Sequence, residues 1–193
     1  MTNIRFENIL ATFCSPVLLN KKVSNLVSIS KSEAPEIAVL IDMYNAKLSM
    51  HKISIDTICE CSERILILVY REDLLIDYLK QSEIKCILEK YGYSDAENVH
   101  DYLNILKSKM NINSFPHEIG VFLGYPISDV KGFIDNKGLN YEYCGYWKVY
   151  GDANSAKKTF SMYDKLKALV ISELKSGRQL DTIVAQFQNI NIA

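Results

Sequence analysis

Residues 64–71 have the sequence RILILVYR, an apolar run with an arginine at each end. A run of this length, rich in β-forming residues, is typical of a central strand that is buried on both faces. Just before it, residues 53–61 (ISIDTICEC) alternate in character, which predicts a second strand. Only Ser62 and Glu63 lie clearly between the two runs, so we expect a hairpin.

Helices are predicted both before and after this pair of strands in the sequence. Apolar residues recur at helical spacing over residues 34–49, 72–80, 82–91, 95–110, 154–175 and 180–187. A first helix over 3–13 should end at Cys14-Ser15-Pro16, because the residue before a proline avoids helical geometry. A capping box at Ser94–Glu97 should start the helix over 95–110. With a further strand at 25–30, this pattern predicts a single helix-rich α+β (or α/β) domain over residues 1–193, with about four strands.

Composition excludes several classes of protein. With 48% hydrophobic and 23% charged residues, the chain of 193 residues is typical of a globular protein rather than a disordered one. A net charge of −1 provides no general attraction to nucleic acid or to an anionic membrane. The longest apolar run is far shorter than the ~20 residues of a membrane-spanning helix, and the N-terminus lacks the apolar core of a signal peptide. Together with five cysteines in no framework spacing, this predicts a cytoplasmic protein with free thiols and no membrane association.

The unusual residues gather in one stretch, residues 115–150 (FPHEIGVFLGYPISDVKGFIDNKGLNYEYCGYWKVY). It contains the single tryptophan and five of the eight glycines. Its last part, residues 141–150, predicts a strand rich in aromatic residues. Within that strand, Gly145 indicates a bulge or a close approach of the backbone to another element.

The earlier part of this stretch, residues 116–137, has the pattern of a helix-turn-helix corner. Two short helices are predicted over 117–123 and 129–135, with Ser114 and Ser128 as caps. Gly120 would let the helices cross closely, and Gly124 would make the turn. A DNA-binding motif places the second helix in the major groove, and that helix needs basic residues. The positive charges of Lys131 and Lys137 are offset by the negative charges of Asp129 and Asp135. This balance disfavours nucleic acid binding and favours a structural corner.

Three residues are candidates for catalysis: Cys144, Cys14 and His117. A histidine at a helix start can act as an acid or a base, and a nearby cation such as Lys148 can activate a thiol such as Cys144. The simpler alternative is that His117 caps or packs in its turn and that both cysteines are small buried hydrophobic residues. Cys59 and Cys61 lack the second closely spaced pair of a zinc site, so no metal is predicted.

Aromatic residues in this stretch could line a pocket for a flat ligand or bind a protein partner. The candidate ligand-binding residues are His117, Glu118, Tyr125, Tyr146, Trp147 and Lys148. The alternative is that these aromatic side chains belong to the core and to a half-buried strand face. The sequence contains no glycine-rich phosphate loop, nucleophile elbow or HExxH motif, and it identifies no cofactor.

The segments FPHEIGVFLGYPISDVKGFI (115–134) and YCGYWKVYGD (143–152), followed by Ala156, Phe160 and Tyr163, resemble an uncharacterised family of bacterial proteins. This domain-of-unknown-function family is found mostly in clostridia and related anaerobic Firmicutes. Cys14-Ser15-Pro16, the 65–71 run and Tyr91-Gly92-Tyr93 are similar as well, so the resemblance covers nearly the whole chain. The resemblance implies a cytoplasmic protein of an anaerobe. It assigns no activity, because the family has no established one.

The leading hypothesis from the sequence is therefore a binding or accessory protein, with a small molecule or a protein as partner and a site around His117, Tyr125 and Cys144. One alternative is a thiol-dependent enzyme or redox protein that uses Cys144 or Cys14 with His117 as base. The other is a DNA-binding regulator that acts through residues 117–137.

Overall fold

The structure is a computed structural model that describes residues 1–110 and 115–190. Three strands form an antiparallel sheet: β1 (Ser24–Ser30), β2 (Ile53–Glu60) and β3 (Arg64–Arg71), in the order β1-β3-β2. Strand β3 thus has a neighbour on each side, and β2 and β3 form a hairpin. The central strand and the hairpin predicted from the sequence are both confirmed.

Helices surround the sheet. Their bounds are α1 Asn3–Leu18, α2 Ile37–Leu48, α3 Glu72–Leu79, α4 Ser82–Glu89, α5 Val99–Lys109, α6 Ile119–Phe122, α7 Ile127–Asp135, α8 Ala153–Lys175 and α9 Leu180–Phe187. Short 3₁₀ turns lie at Lys31–Glu33 and Ser49–His51, and a small two-stranded ribbon, β4 (Tyr143–Cys144) and β5 (Lys148–Val149), precedes α8. The protein is therefore a helix-rich α+β fold, and its antiparallel sheet excludes the parallel α/β alternative.

Strand β3 divides the core into two apolar clusters. On one face, Ile65, Ile67 and Val69 pack with the buried sides of α1, α2, α8 and α9. On the other face, Leu68 and Tyr70 pack with residues of α3, α4, α5, α6 and α7. Because successive strand residues point to opposite faces, an apolar run without polar interruptions requires such a layer on each side.

Helix α1 extends past the predicted end. It continues through Cys14-Ser15-Pro16 to Leu18, so the prediction that the proline terminates it is wrong. Pro16 has no N–H to donate to the carbonyl of Thr12, and the Ser15 hydroxyl provides an additional donor to the carbonyl of Ala11 in the same turn. The last turn is fully buried, and this burial outweighs the local cost of the proline.

Helix α5 begins later than predicted. The capping box uses Asn98 and Asp101 rather than Ser94 and Glu97, and the helix starts at Val99. The Asn98 side chain accepts from the Asp101 N–H over 3.1 Å, while the Asp101 carboxylate accepts from the Asn98 N–H over 3.3 Å. Ser94 and Glu97 match the usual Ser/Thr-x-x-Glu/Gln pattern, whereas Asn98 and Asp101 use a shorter acidic residue, so residue type alone favoured the wrong tetrad.

A buried arginine at the end of β3 fastens the strand to its surroundings. The guanidinium of Arg71 donates to the carbonyl oxygens of Val17 and Leu18, at 2.9 and 3.0 Å, where α1 ends. It also donates to the carbonyl of His51 at 3.1 Å and to the side chain of Gln188 at 3.4 Å. A cation at the C-terminal end of a helix is favoured by the helix dipole and satisfies carbonyls that have no helical partner.

We expect Arg71→Met to lower the free energy of unfolding by about 3 kcal/mol, because several buried carbonyls would lose their only charged donor. Arg64→Met is the matched control, since Arg64 stands at the other end of the same strand and is exposed. Its replacement should cost less than about 1 kcal/mol. Urea unfolding followed by circular dichroism measures both values, and equal losses would contradict the role assigned to Arg71.

Candidate functional site

The residues predicted as one aromatic strand form a tight hairpin instead. Strands β4 and β5 pair Tyr143 with Val149 and Cys144 with Lys148, and the Gly145 N–H donates to the Trp147 carbonyl over 3.1 Å. A continuous strand over 141–150 is therefore wrong. The close backbone approach predicted at Gly145 is confirmed, since a Cβ there would lie 2.3 Å from the ring of Phe160.

The predicted helical corner is present in a shorter form. Gly124 has φ +65° and makes the turn between α6 and α7. A Cβ on Gly120 would lie 3.1 Å from a methyl of Val130, so the two helices cross as closely as the sequence predicts.

The ends of the two corner helices differ from the prediction. Helix α6 starts at Ile119 and α7 at Ile127, where Pro126 takes the N-cap position and Ser128 makes no cap. Proline can precede the first turn because that position needs no N–H donor. The other predicted cap, Ser114, lies outside the described residues.

A cavity of about 220 Å³ lies between this corner and the hairpin. It is lined by His117, Ile119, Gly120, Tyr125, Asp129, Val130, Phe133, Trp147 and Lys148. Trp147 belongs to the core cluster on one side of the sheet, whereas Ile119 and Val130 belong to the other. Tyr125 packs against both clusters, so the cavity lies at the seam where the two cores meet.

Four of the six predicted ligand-binding residues line this cavity: His117, Tyr125, Trp147 and Lys148. Tyr125 and Trp147 form one wall, with stacked rings whose centroids lie 5.0 Å apart. Burial raises the pKa of Tyr125 to about 12, so its hydroxyl stays protonated at neutral pH. That hydroxyl donates to the Tyr146 carbonyl over 3.4 Å. Because the hydroxyl has this partner, the chemical character of the wall comes from the two aromatic rings.

The remaining two predicted ligand-binding residues do not line the cavity. Glu118 is buried, and its carboxylate accepts from the Lys109 ammonium over 2.7 Å and from the Tyr93 hydroxyl over 3.4 Å. Tyr146 turns toward α8 and donates to the carboxylate of Asp164 over 2.9 Å. Both side chains thus have structural partners of their own.

A buried carboxylate organises the site, and the sequence analysis missed its role. Asp129 is 4% exposed and lies in the first turn of α7. One of its oxygens accepts from the Trp147 indole N–H over 2.7 Å, and the other accepts from the backbone N–H groups of Tyr150 and Gly151 over 2.9 and 2.8 Å. Three donors and the N-terminal end of a helix stabilise the charge. The carboxylate thereby fixes the indole ring and the end of the hairpin relative to α7.

The basic groups of the cavity lie at its rim. The Lys148 ammonium donates to the carbonyl of Gly138 over 2.8 Å and lies 5.0 Å from the ring centroid of Tyr141. His117 is exposed, and its ring centroid lies 5.7 Å from that of Phe133. Phe133 also lies 5.9 Å from the Lys148 ammonium, so this ring adjoins both basic side chains.

The two candidate cysteines lie away from the cavity. Cys144 is exposed on β4, and Cys14 is fully buried within α1. Burial raises the pKa of the Cys14 thiol to about 12, although the neighbouring Lys22 acts in the opposite direction. At neutral pH this thiol is protonated and therefore a poor nucleophile. No cysteine is among the described residues that line the cavity with His117.

The charges around the corner are mixed, and the described residues contain no cluster of metal ligands. Lys131 of α7 pairs with Glu83 over 3.3 Å, and Asp129 faces the interior. Across residues 1–110 and 115–190, no three histidine, cysteine or carboxylate side chains come together as a metal site. No helix in these ranges is both long enough and apolar enough to span a membrane.

The sequence profile of one family, described as protein of unknown function (DUF3793), matches residues 10–184. The chain belongs to this family. The prediction of a domain-of-unknown-function family that covers nearly the whole chain is confirmed. No curated protein and no solved structure matches the chain.

The wall of the cavity also contacts a buried lysine. Lys22 is 7% exposed, and its ammonium lies 5.0 Å from the ring centroid of Tyr125 and donates to the side chain of Asn25. Burial lowers the pKa of Lys22 to about 7, while the nearby Cys14 acts in the opposite direction. At neutral pH the amine is thus close to its midpoint of protonation.

We expect Asp129→Asn to lower the free energy of unfolding by about 2–3 kcal/mol. The amide has one acceptor oxygen, so its NH₂ group must face either the indole N–H or the two backbone N–H groups, all of which are donors. Asp135→Asn, at the exposed end of the same helix, is the control. Urea unfolding followed by the fluorescence of Trp147 gives both values, and a loss no larger than that of the control would refute the role of Asp129.

A pH series tests the buried amine. A lysine whose pKa falls from 10.5 to about 7 on folding binds fewer protons in the folded state between those values, so its contribution to stability rises with pH in that window. The unfolding free energy of the wild type minus that of Lys22→Met should therefore increase from pH 6 to pH 9, by at most about 1.4 kcal/mol per pH unit. Lys21→Met controls for the loss of one positive charge. A difference that is independent of pH would mean that Lys22 is not desolvated.

Proposed function

We propose that the protein binds a small, flat and largely apolar molecule in the cavity between α6, α7 and the β4–β5 hairpin. The observation that carries the proposal is the convergence of three aromatic side chains, Tyr125, Phe133 and Trp147, on one partly open space. Ligand sites are typically concave and apolar, with a few polar groups that fix orientation. Here His117 and Lys148 are such polar groups.

The size of the cavity limits the ligand. A cavity of about 150 Å³ accepts one benzene ring, and sites for drug-sized molecules begin near about 300 Å³. The space of about 220 Å³ therefore suits one aromatic ring with a short substituent. Its walls belong to fixed elements, since Asp129 bonds three donors of the hairpin and Gly120 allows the two corner helices to cross in contact.

We place this activity in the cytoplasm. The five cysteines are all free thiols, which suits a reducing compartment. The ligand-binding role takes precedence over a thiol-dependent reaction, because His117 lines the cavity while Cys14 and Cys144 do not.

The single tryptophan provides the test. Since Trp147 lines the cavity and is the only tryptophan, the ¹H–¹⁵N spectrum contains one indole signal that reports on it. Titration with toluene should shift this signal in the wild type. Val130→Phe, which fills the cavity, should weaken toluene binding at least tenfold, whereas Val39→Phe on the exposed face of α2 should leave it unchanged.

A second variant guards against a loss of folding. Phe133→Ala removes one wall from a half-buried position and should weaken toluene binding several-fold. A wild-type indole signal that stays in place at saturating toluene would overturn the proposal. So would folded Val130→Phe protein that binds toluene as tightly as the wild type.

A further inference from the structure

The two charged groups that line the cavity differ in how fully their hydrogen-bonding capacity is used. Its carboxylate, Asp129, has both oxygens occupied by three N–H donors within 2.9 Å. Its ammonium, Lys148, has one bond to a carbonyl and contacts with the faces of two rings. Within the described part of the chain, Lys148 forms no ion pair. The satisfied negative charge and the unpaired positive charge together favour an anion.

The position of Lys148 is defined by its surroundings. Its ammonium donates to the carbonyl of Gly138, just beyond the end of α7, and its backbone lies in β5, where it pairs with Cys144 of β4. The rings of Tyr141 and Phe133 also attract the cation. A lysine bonded in this way keeps two further N–H donors for a ligand, since an ammonium has three.

We propose that the molecule bound in the cavity is a small aromatic anion, whose ring lies among Tyr125, Phe133 and Trp147 and whose acidic group pairs with Lys148. This inference rests on the proposed function and adds the charge of the ligand to it. His117 lies at the same rim and would border the acidic group. A carboxylate directly attached to one ring matches the cavity of about 220 Å³ in volume as well as in charge.

Three probes of nearly equal size separate shape from charge: benzoate, benzyl alcohol and benzylamine. Each is titrated into the chain of 193 residues at pH 7.5 while the Trp147 indole signal is followed. Benzoate should bind about tenfold more tightly than benzyl alcohol, a ratio that corresponds to one charge-assisted hydrogen bond. Benzylamine should bind more weakly than the alcohol, because its charge repeats that of Lys148.

Variants at Lys148 test the assigned contact. Lys148→Met keeps the apolar stem and should reduce benzoate affinity about tenfold while changing benzyl alcohol affinity less than twofold. Lys148→Arg should retain the preference for benzoate. Lys157→Met is the matched control, since the Lys157 ammonium also lies over a tyrosine ring, 4.9 Å from the centroid of Tyr143, but does not line the cavity.

The outcomes distinguish this inference from the proposed function. If benzyl alcohol binds and benzoate binds no better, the cavity is a ligand site without preference for an anion, and the inference fails alone. If Lys148→Met weakens both probes equally, Lys148 shapes the cavity and does not read the charge. If none of the probes, toluene included, moves the indole signal, the proposed function fails as well.

Discussion

Burial of β3 on both faces determines the layout of the rest of the molecule. The odd-numbered residues Ile65, Ile67 and Val69 face one helical layer, and Leu68 and Tyr70 face the other. Neither layer could be removed without exposing a row of large apolar side chains, at a cost of about 1.5–3 kcal/mol for each of them. Each core therefore depends on the other, and Tyr125, which follows the turn at the α6–α7 corner, packs against both.

The sequence predicts those parts of the fold that depend on local patterns. The run at 64–71 identifies β3 because a buried strand has its own composition, and Gly124 identifies a turn because its φ of +65° suits glycine. Predictions failed where distant contacts decide. Pro16 stays inside α1 because its turn is buried, and the alternating residues 141–150 fold back because Phe160 lies against Gly145. The burial of the α1 turn leaves no trace in local spacing, and Gly145 marks a close approach without identifying Phe160 as the partner.

The candidate site shows the same division. His117, Tyr125, Trp147 and Lys148 could be selected because aromatic and basic residues concentrate in one stretch, and the structure gathers them around one cavity. Asp129 could not be selected, because its three donors lie 18 to 22 residues further along the chain and nothing in the spacing points to them. In the sequence it counted only as a charge that weakens DNA binding. A residue that holds a site together is identified by its partners, and partners are a property of the fold.

The seam between the cores explains why the cavity stays open. A Cβ on Gly132 would lie 2.4 Å from the side chain of Tyr150, and one on Gly145 would lie 2.3 Å from the ring of Phe160, so these glycines allow close packing between the hairpin region and both α7 and α8. Asp129 then fixes the indole of Trp147 in place by a hydrogen bond. With these contacts on both sides, the hairpin is held apart from the corner, and the lining atoms remain available for dispersion contacts with a ligand. A ligand that supplies those contacts binds only the folded state, so filling the cavity stabilises the protein as well as occupying the site.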